Sequence, residues 1–331
     1  MILASIHSNR NELAQDGELV VVHPDHSKVA LLPAGEFSSL SAALDTWSKT
    51  EPRLKAVDAQ LRAGAWTSTK PASDCSFLAP LPRTFALLDG SAYIEHVRLV
   101  RKARGAELPE DLFTIPLMYQ GASDNMLAAT DDIPLIDPAH GLDFESEIAV
   151  ITDFVPMGTT SADAERHIKL VILMNDISLR ELIPRELATG FGFFHGKPPS
   201  AFSPFALTLD ELGAAWHDAR VHLPLETHLN GTLFGNPEAG AMHFSFCQLI
   251  EHACKTRPLS AGTIIGSGTV SNEDPGRGSS CLVEQRMREK ITTGSIKTRY
   301  LQDGDQVRIC LKHEGRDLFG AIDQHVRLVR R

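Results

Sequence analysis

Residues 143–154 read DFESEIAVITDF, and residues 168–176 read IKLVILMND. The second stretch is apolar apart from Lys169, which is the composition of a strand buried on both faces. It ends on Asn175-Asp176, so an acid sits at the carboxyl end of a buried strand. The first stretch alternates and predicts a strand over 143–154. Alternate residues of a strand share a face. Glu145 and Glu147 are therefore expected to point the same way, about 6.5–7 Å apart, with Asp143 beyond them. Two adjacent carboxylates on a half-buried strand repel each other and lose hydration, and a divalent cation relieves both problems. Taken alone, E-x-E also fits a solvated face. Asp176 alone also fits an N-cap for a helix expected over 177–187.

Outward from these strands the chain is rich in short β segments. Residues 2–6, 18–22 and 28–32 read as strands punctuated by Asn, Asp and Gly. Helical spacing runs from Glu36 to Ala65, with a second helix opening near Pro52. The polar stretch 67–74 carries Pro71 and marks a boundary, giving a small N-terminal domain over 1–74 and a larger one over 75–331. Ser91–Arg104, Ala162–His167, Arg180–Leu187 and Phe244–Lys255 read as helices, and Ala188–Pro204 as a loop. Asn230-Gly231 is a hairpin turn signal between 221–229 and 231–234. Strands are expected at 263–267, 281–287 and 306–311, and 318–328 closes the chain. There is no βαβ rhythm, so the pattern predicts an α+β, mostly β fold rather than a doubly wound sheet.

Composition narrows the function. The 331 residues hold 32 Lys plus Arg against 42 Asp plus Glu, a formal charge of −10. Such a chain has no general attraction for nucleic acid or anionic lipid, so no nucleic-acid or membrane partner is expected. An anionic small molecule would need local Arg, Lys or a metal. The five cysteines form no C-x-x-C pair and are odd in number, which predicts reduced thiols in a cytoplasmic protein. The N-terminus lacks a signal-peptide pattern, and no run approaches the length of a membrane span.

Further residues stand out singly. Asp89 precedes Gly90 and an expected helix, and His96 follows seven residues later. A cap and an ordinary histidine are the plain alternatives. Residues 190–199, GFGFFHGKPP, place Lys197 in a loop with three Phe, which predicts a partly desolvated, inward lysine. Residues 266–272, GSGTVSN, let backbone approach a ligand closely. No Walker loop, G-x-G-x-x-G, H-E-x-x-H or G-x-S-x-G is present.

Four of these pieces occur in a recognisable order. They are Glu145-Ser146-Glu147, Asn175-Asp176-Ile177-Ser178-Leu179-Arg180, His195-Gly196-Lys197 and Ser267-Gly268-Thr269-Val270-Ser271. From about Phe77 onward the chain resembles the fumarylacetoacetate hydrolase (fumarylacetoacetase) superfamily, in particular its longer bacterial members with an N-terminal domain. The resemblance implies a mixed β-sandwich roll and a small SH3-like β unit carrying helices. It also implies a homodimer and a divalent metal, Mg²⁺ or Ca²⁺, with Mn²⁺ possible. By motif, the metal ligands would be Asp89, Glu145, Glu147 and Asp176. His96 falls on the family's catalytic histidine, and Glu284 is the best match to its partner, expected on the strand after the S-G-T motif. Arg180 and Lys197 match the groups that stabilise an oxyanion. Tyr119 and Thr269 match substrate contacts. Two departures stand out: Ile183 occupies the place of a family Gln, and one carboxylate-binding Arg has no counterpart, with Arg101 and Arg104 nearby but unaligned.

These residue types suit hydrolysis of a C–C bond in a β-diketo acid, fumarylacetoacetate or a related acylpyruvate. A metal would polarise the substrate oxygens, His96 would take a proton from water with Glu284 behind it, and Arg180 and Lys197 would meet the oxyanion. A lyase built on the same metal site, a 2-oxoacid hydratase or decarboxylase, is the alternative enzyme. A non-catalytic small-molecule binder is the third possibility, and it would need no water-activating pair.

Overall fold

The structure is a computed structural model that describes residues 1–8, 15–33, 35, 38–103, 107, 108 and 110–329. The expected helix ends at Glu36 and Arg104 lie outside these residues. Two sheets dominate. The larger has eleven strands in the order Thr69–Pro71, Lys28–Leu31, Glu18–Val22, Ile2–Ile6, Ala206–Leu207, Ile168–Asn175, Ser146–Thr152, Ile264–Gly266, Leu87–Gly90 and Met118–Gly121, with Ala201–Phe202 also paired to Ile168–Asn175. Ile264–Gly266 and Leu87–Gly90 are parallel, while the other pairs along this sheet are antiparallel. The second sheet runs Thr232–Gly235, Leu225–Leu229, Gln306–His313, Ile322–Leu328 and Ile133–Leu135, with Arg316–Asp317 paired to Gln306–His313.

Alternation along the central strands explains the layering. Ile148, Val150, Val171 and Leu173 share one apolar cluster with Val307, Ile309, Leu311 and Ile322 of the second sheet. Ala149, Ile151, Leu170, Ile172 and Met174 share the other with Leu40, Leu44, Leu54 and Leu61. Each strand is thus covered on both faces, by helices Leu40–Asp45 and Trp47–Arg62 on one side and by the smaller sheet on the other. That is why residues 168–175 read as an unbroken apolar run. The N-terminal strands are one end of this same large sheet: Ile2–Ile6 pairs with Ala206–Leu207, so the sheet continues across residue 74.

Several expected elements shift. The strand over 143–154 is interrupted. Leu142–Asp143 pairs with Ser178–Leu179, and a new strand begins at Ser146. The second N-terminal helix starts at Trp47 and carries Pro52 inside it. The helix expected from Arg180 spans Ile183–Thr189, and Asp176 caps no helix because a short strand follows it. Residues 281–287, expected as a strand, form the start of helix Leu282–Thr293. The hairpin holds: Asn230 (φ 51°) and Gly231 (φ 76°) join Leu225–Leu229 to Thr232–Gly235 in the left-handed conformations that Asn and Gly tolerate. No helix among the described residues is long and apolar enough to cross a membrane.

Candidate active site

The carboxylates meet where strands of the large sheet end side by side. Asp89 lies in Leu87–Gly90, Glu147 near the start of Ser146–Thr152, and Asp176 just past Ile168–Asn175. All three are buried, and one oxygen from each lies within 4.8 Å of the others. Gly268 locks two of them together. Its N–H reaches both Asp89 Oδ1 and Glu147 Oε2 at 3.1 Å. Gly268 has φ +81°, and a Cβ there would run into the backbone carbonyl of Gly90, so only glycine fits. Asp176 Oδ1 accepts from Ser200 at 2.9 Å, and Oδ2 accepts from the Tyr119 hydroxyl at 2.7 Å. Glu147 Oε1 is buried with no hydrogen-bond partner.

Burial pushes the Asp89 and Glu147 carboxyls well above the usual range, and their acidic neighbours push them further. Asp176 is also raised by burial, although Lys197 opposes it. Three hydration-starved acids facing each other, one with an orphaned oxygen, fit a hard divalent cation with oxygen ligands. The donor set carries no soft atom.

Glu145 has partners of its own. The chain is interrupted at Phe144, and Glu145 forms a β-bridge with Cys281 just before Ser146–Thr152 begins. Glu145 Oε1 accepts from Arg180 Nη2 at 2.7 Å, and Oε2 accepts from Lys197 Nζ at 2.5 Å and from Ser178 Oγ at 3.2 Å. Burial opposes its charge, but Arg180 and Lys197 prevail and hold it well below the ordinary range. Lys197, 8% exposed, bridges to Asp176 as well and lies over the Tyr119 ring. Burial works against its ammonium, yet Asp176 and Glu145 push its pKa up. The inward lysine expected from the loop composition is therefore present, and it links Glu145 to the three-acid cluster.

His96, on helix Ile94–Ala103, places Nδ1 3.2 Å from Glu284 Oε2. A carboxylate facing Nδ1 favours the tautomer with the proton on that nitrogen, which leaves the Nε2 lone pair free. Glu284 is fully buried in the third residue of its helix, not on a strand as its motif position implied. The reason is Asp143. Its oxygens accept the Leu282 and Val283 N–H groups at 2.7 and 2.9 Å, which satisfies the helix start, and it also accepts from Arg180 Nε at 2.8 Å. Asp143 is the functional residue whose place the sequence reading missed, having set it beside the E-x-E acids. Burial raises the Glu284 carboxyl, but the His96 hydrogen bond and the Arg288 guanidinium outweigh it and hold it below the usual range.

These groups line one cavity of about 180 Å³ containing Asp89, His96, Tyr119, Glu145, Arg180 and Lys197. Thr269 joins them, and Val100, Ile183, Leu187 and Phe193 form an apolar wall. Ile183, which stands in the place of the family Gln, thus makes that wall apolar. Arg101 turns to the Glu107 carbonyl at 3.0 Å. A separate grouping of Glu226, His228 and Cys310 lies on the smaller sheet, where Lys312 closes Glu226 at 2.8 Å. The five cysteines are free thiols.

A strand-rich α+β fold thus gathers a buried acid cluster beside a histidine–carboxylate pair, a set of groups that fits a divalent-metal site. The family model described as fumarylacetoacetate (FAA) hydrolase C-terminal matches residues 86–327, and fumarylacetoacetase N-terminal domain 2 matches residues 1–83. The chain belongs to the fumarylacetoacetate hydrolase family. Oxaloacetate tautomerase YisK of Bacillus subtilis is 29% identical over 72% of this chain and 70% of its own length. Fumarylacetoacetase of Oryza sativa is 26% identical over 64% of this chain and 60% of its own. Among solved structures, maleylpyruvate hydrolase from Sphingobium sp. SYK-6 aligns over 99% of this chain and all of its own, with a TM-score of 0.66 and 15% identity. The same enzyme has been solved with manganese(II) and pyruvate, at a TM-score of 0.65.

Proposed function

We propose that the protein is a divalent-metal-dependent hydrolase that cleaves the C–C bond of a small β-diketo acid, of the fumarylacetoacetate or acylpyruvate type. The observation that carries this reading is the His96–Glu284 contact at 3.2 Å, with His96 lining the same cavity as Asp89 and Glu145. Hydrolysis needs a nucleophile made from water, and a buried imidazole–carboxylate pair is built to take a proton and hold the resulting charge. Asp89, Glu147 and Asp176 would hold Mg²⁺, Mn²⁺ or Ca²⁺, with Glu145 beside them as the fourth acid of the motif. A hard divalent ion bound there supplies Lewis-acid polarisation of the substrate oxygens.

The chain's own groups do the rest. His96 removes a proton from water as its oxygen adds to the acyl carbon. Lys197 and Arg180, which line the cavity, are the cations available to the oxygen that gains charge. Tyr119 keeps Asp176 oriented. When the C–C bond breaks, the electron pair stays on the released carbon, which takes up a proton. One water is consumed and two products leave. Ile183, Leu187 and Phe193 give this side of the cavity an apolar face.

A second reading has its own support. The oxaloacetate tautomerase relative and the small cavity favour keto–enol interconversion of a short 2-oxo diacid, for which His96 would move a proton without activating water. A lyase on the same site stands behind it. One experiment separates them. Purified protein is supplied with Mg²⁺ or Mn²⁺ and compared with an EDTA-treated control on fumarylacetoacetate, acetylpyruvate and oxaloacetate. Stoichiometric, EDTA-sensitive release of two acids supports hydrolysis. A change in enol absorbance with the carbon chain intact gives the site to tautomerisation, and CO₂ release gives it to a lyase.

A further inference from the structure

The Glu284 carboxylate has four donors, and only one of them is His96. Oε1 accepts from Arg288 Nη2 at 2.8 Å and Nε at 3.2 Å, and from Ser271 Oγ at 3.1 Å; Oε2 faces His96 Nδ1. Arg288 lies one helical turn beyond Glu284, so the same helix sets both groups. The guanidinium is itself anchored, since Nη2 also donates to the Asn272 carbonyl at 3.0 Å. It is 14% exposed, and both of its donating nitrogens reach the same carboxylate oxygen.

We infer that Arg288 is a positioning residue of the His96–Glu284 pair: it claims one oxygen of the carboxylate, turns the other to His96, and sets a positive charge against that carboxylate. The inference rests on the water-activating reading of the pair. Without that charge, a buried carboxylate against His96 would hold a proton on the ring to higher pH, and a protonated ring is no base. The other groups around the pair do not replace it. On the His96 helix, Glu95 is held by Arg98 at 2.9 Å. On the loop after the S-G-T motif, Glu273 is exposed and reaches only Arg98. Cys281, at the start of the Glu284 helix, has its thiol pushed well up by burial and by Asp143, and stays neutral. Beyond it, Arg180 is spent on Asp143 and Glu145.

The test reads the ring directly in the metal-loaded full chain. The His96 signal is assigned in an NMR pH titration by its absence from a His96→Gln variant. In Arg288→Gln, the pH at which the pair takes up its proton rises by about one unit. Arg288→Lys keeps the charge and holds the midpoint within about half a unit of the parent. Ser271→Ala removes a neutral donor from the same oxygen and moves it by less than half a unit. An unchanged midpoint in Arg288→Gln overturns the inference, as does an equal shift in Ser271→Ala. If Arg288→Gln does not fold, a full-unit rise in either of the other two variants overturns it instead. The acid limb of kcat/KM on whichever substrate turns over moves with the ring. A shifted ring with no C–C cleavage by any of the proteins would reject the hydrolase reading and leave the role of Arg288 standing. Cleavage with an unmoved ring would do the reverse.

Discussion

Two groups of buried carboxylates lie beside one cavity, the first reaching it through Asp89 and the second through His96, and they are built in opposite ways. Asp89, Glu147 and Asp176 crowd one another, and Glu147 keeps an oxygen with no partner. Glu284 is as deeply buried, yet Arg288, Ser271 and His96 surround it. Burial alone raises both kinds of acid. Neighbours decide the sign: acids raise Glu147 further, whereas the cation and the hydrogen bonds pull Glu284 down. The first group is incomplete without a cation. The second is complete and ready to orient an imidazole. The same contrast recurs within one motif, because Glu145, two residues from Glu147, is satisfied by Arg180 and Lys197.

The largest effect follows from that pair. Glu147→Gln should cost at least about 10³-fold in metal-dependent turnover. It should also abolish the stabilisation given by saturating Mn²⁺, worth about 2.7 kcal/mol at a hundredfold excess over Kd. In metal-free protein the same change should raise the melting temperature, because it removes one acid from a repelling cluster. Glu145→Gln should do the opposite there, leaving Arg180 with Asp143 and Lys197 with Asp176 but each one carboxylate short, at a cost of up to about 3 kcal/mol. Thermal melts with and without metal check both, and equal behaviour of the two variants would break the contrast.

His96→Gln comes next. It should lower turnover by about 10²–10⁴-fold while leaving Mn²⁺ binding, followed by calorimetry, as in the parent. Weakened metal binding would join the two clusters into one unit.

The sequence exposed the chemistry of the site better than its placement. Every acid proposed as a ligand is buried, Asp89, Glu147 and Asp176 in one cluster, and the Asp89 to His96 spacing carries a strand end into a helix that lines the same cavity. What failed was local geometry. Alternation over 143–154 predicted one unbroken strand, but the large-sheet strand begins only at Ser146, and Leu142–Asp143 before it pairs with a segment more than thirty residues on. Residues 281–287 looked extended because nothing nearby caps a helix. The cap is Asp143, 139 residues earlier in the chain. Neither long-range partner leaves a local trace in periodicity.

The opposed carboxylates also predict opposed pH dependence. Asp89 and Glu147 have folded-state values above their unfolded ones, so their contribution to stability is present below the usual carboxylate range and lost as pH rises through the raised values. Glu284 is depressed, so its contribution is present above that range and lost as pH falls through its lowered value. Metal-free protein should therefore melt highest at mildly acidic pH. It should decline toward alkaline pH by about 1.4 kcal/mol per pH unit for each carboxyl in titration. Saturating Mg²⁺ should flatten the alkaline side, because the ion takes over the charge. A slope that persists in Mg²⁺ would mean that the ion does not sit among these acids.

The smallest effect tests how the metal-side cluster is tied to the cavity wall. Tyr119 donates to Asp176 Oδ2, the oxygen that Lys197 also reaches, and its ring packs edge-on against Phe193 with centroids 5.2 Å apart. Tyr119→Phe keeps that packing and removes one donor of two. A hydrogen bond to a charged group is worth about 1.5–3 kcal/mol, and the lysine remains, so the loss should fall at the low end. Mn²⁺ affinity should then change by about tenfold or less, with turnover at saturating metal reduced to a similar extent. A loss as large as that of Glu147→Gln would show that Tyr119 touches the reacting groups rather than orienting Asp176. A change confined to substrate KM would place its hydroxyl on the substrate instead.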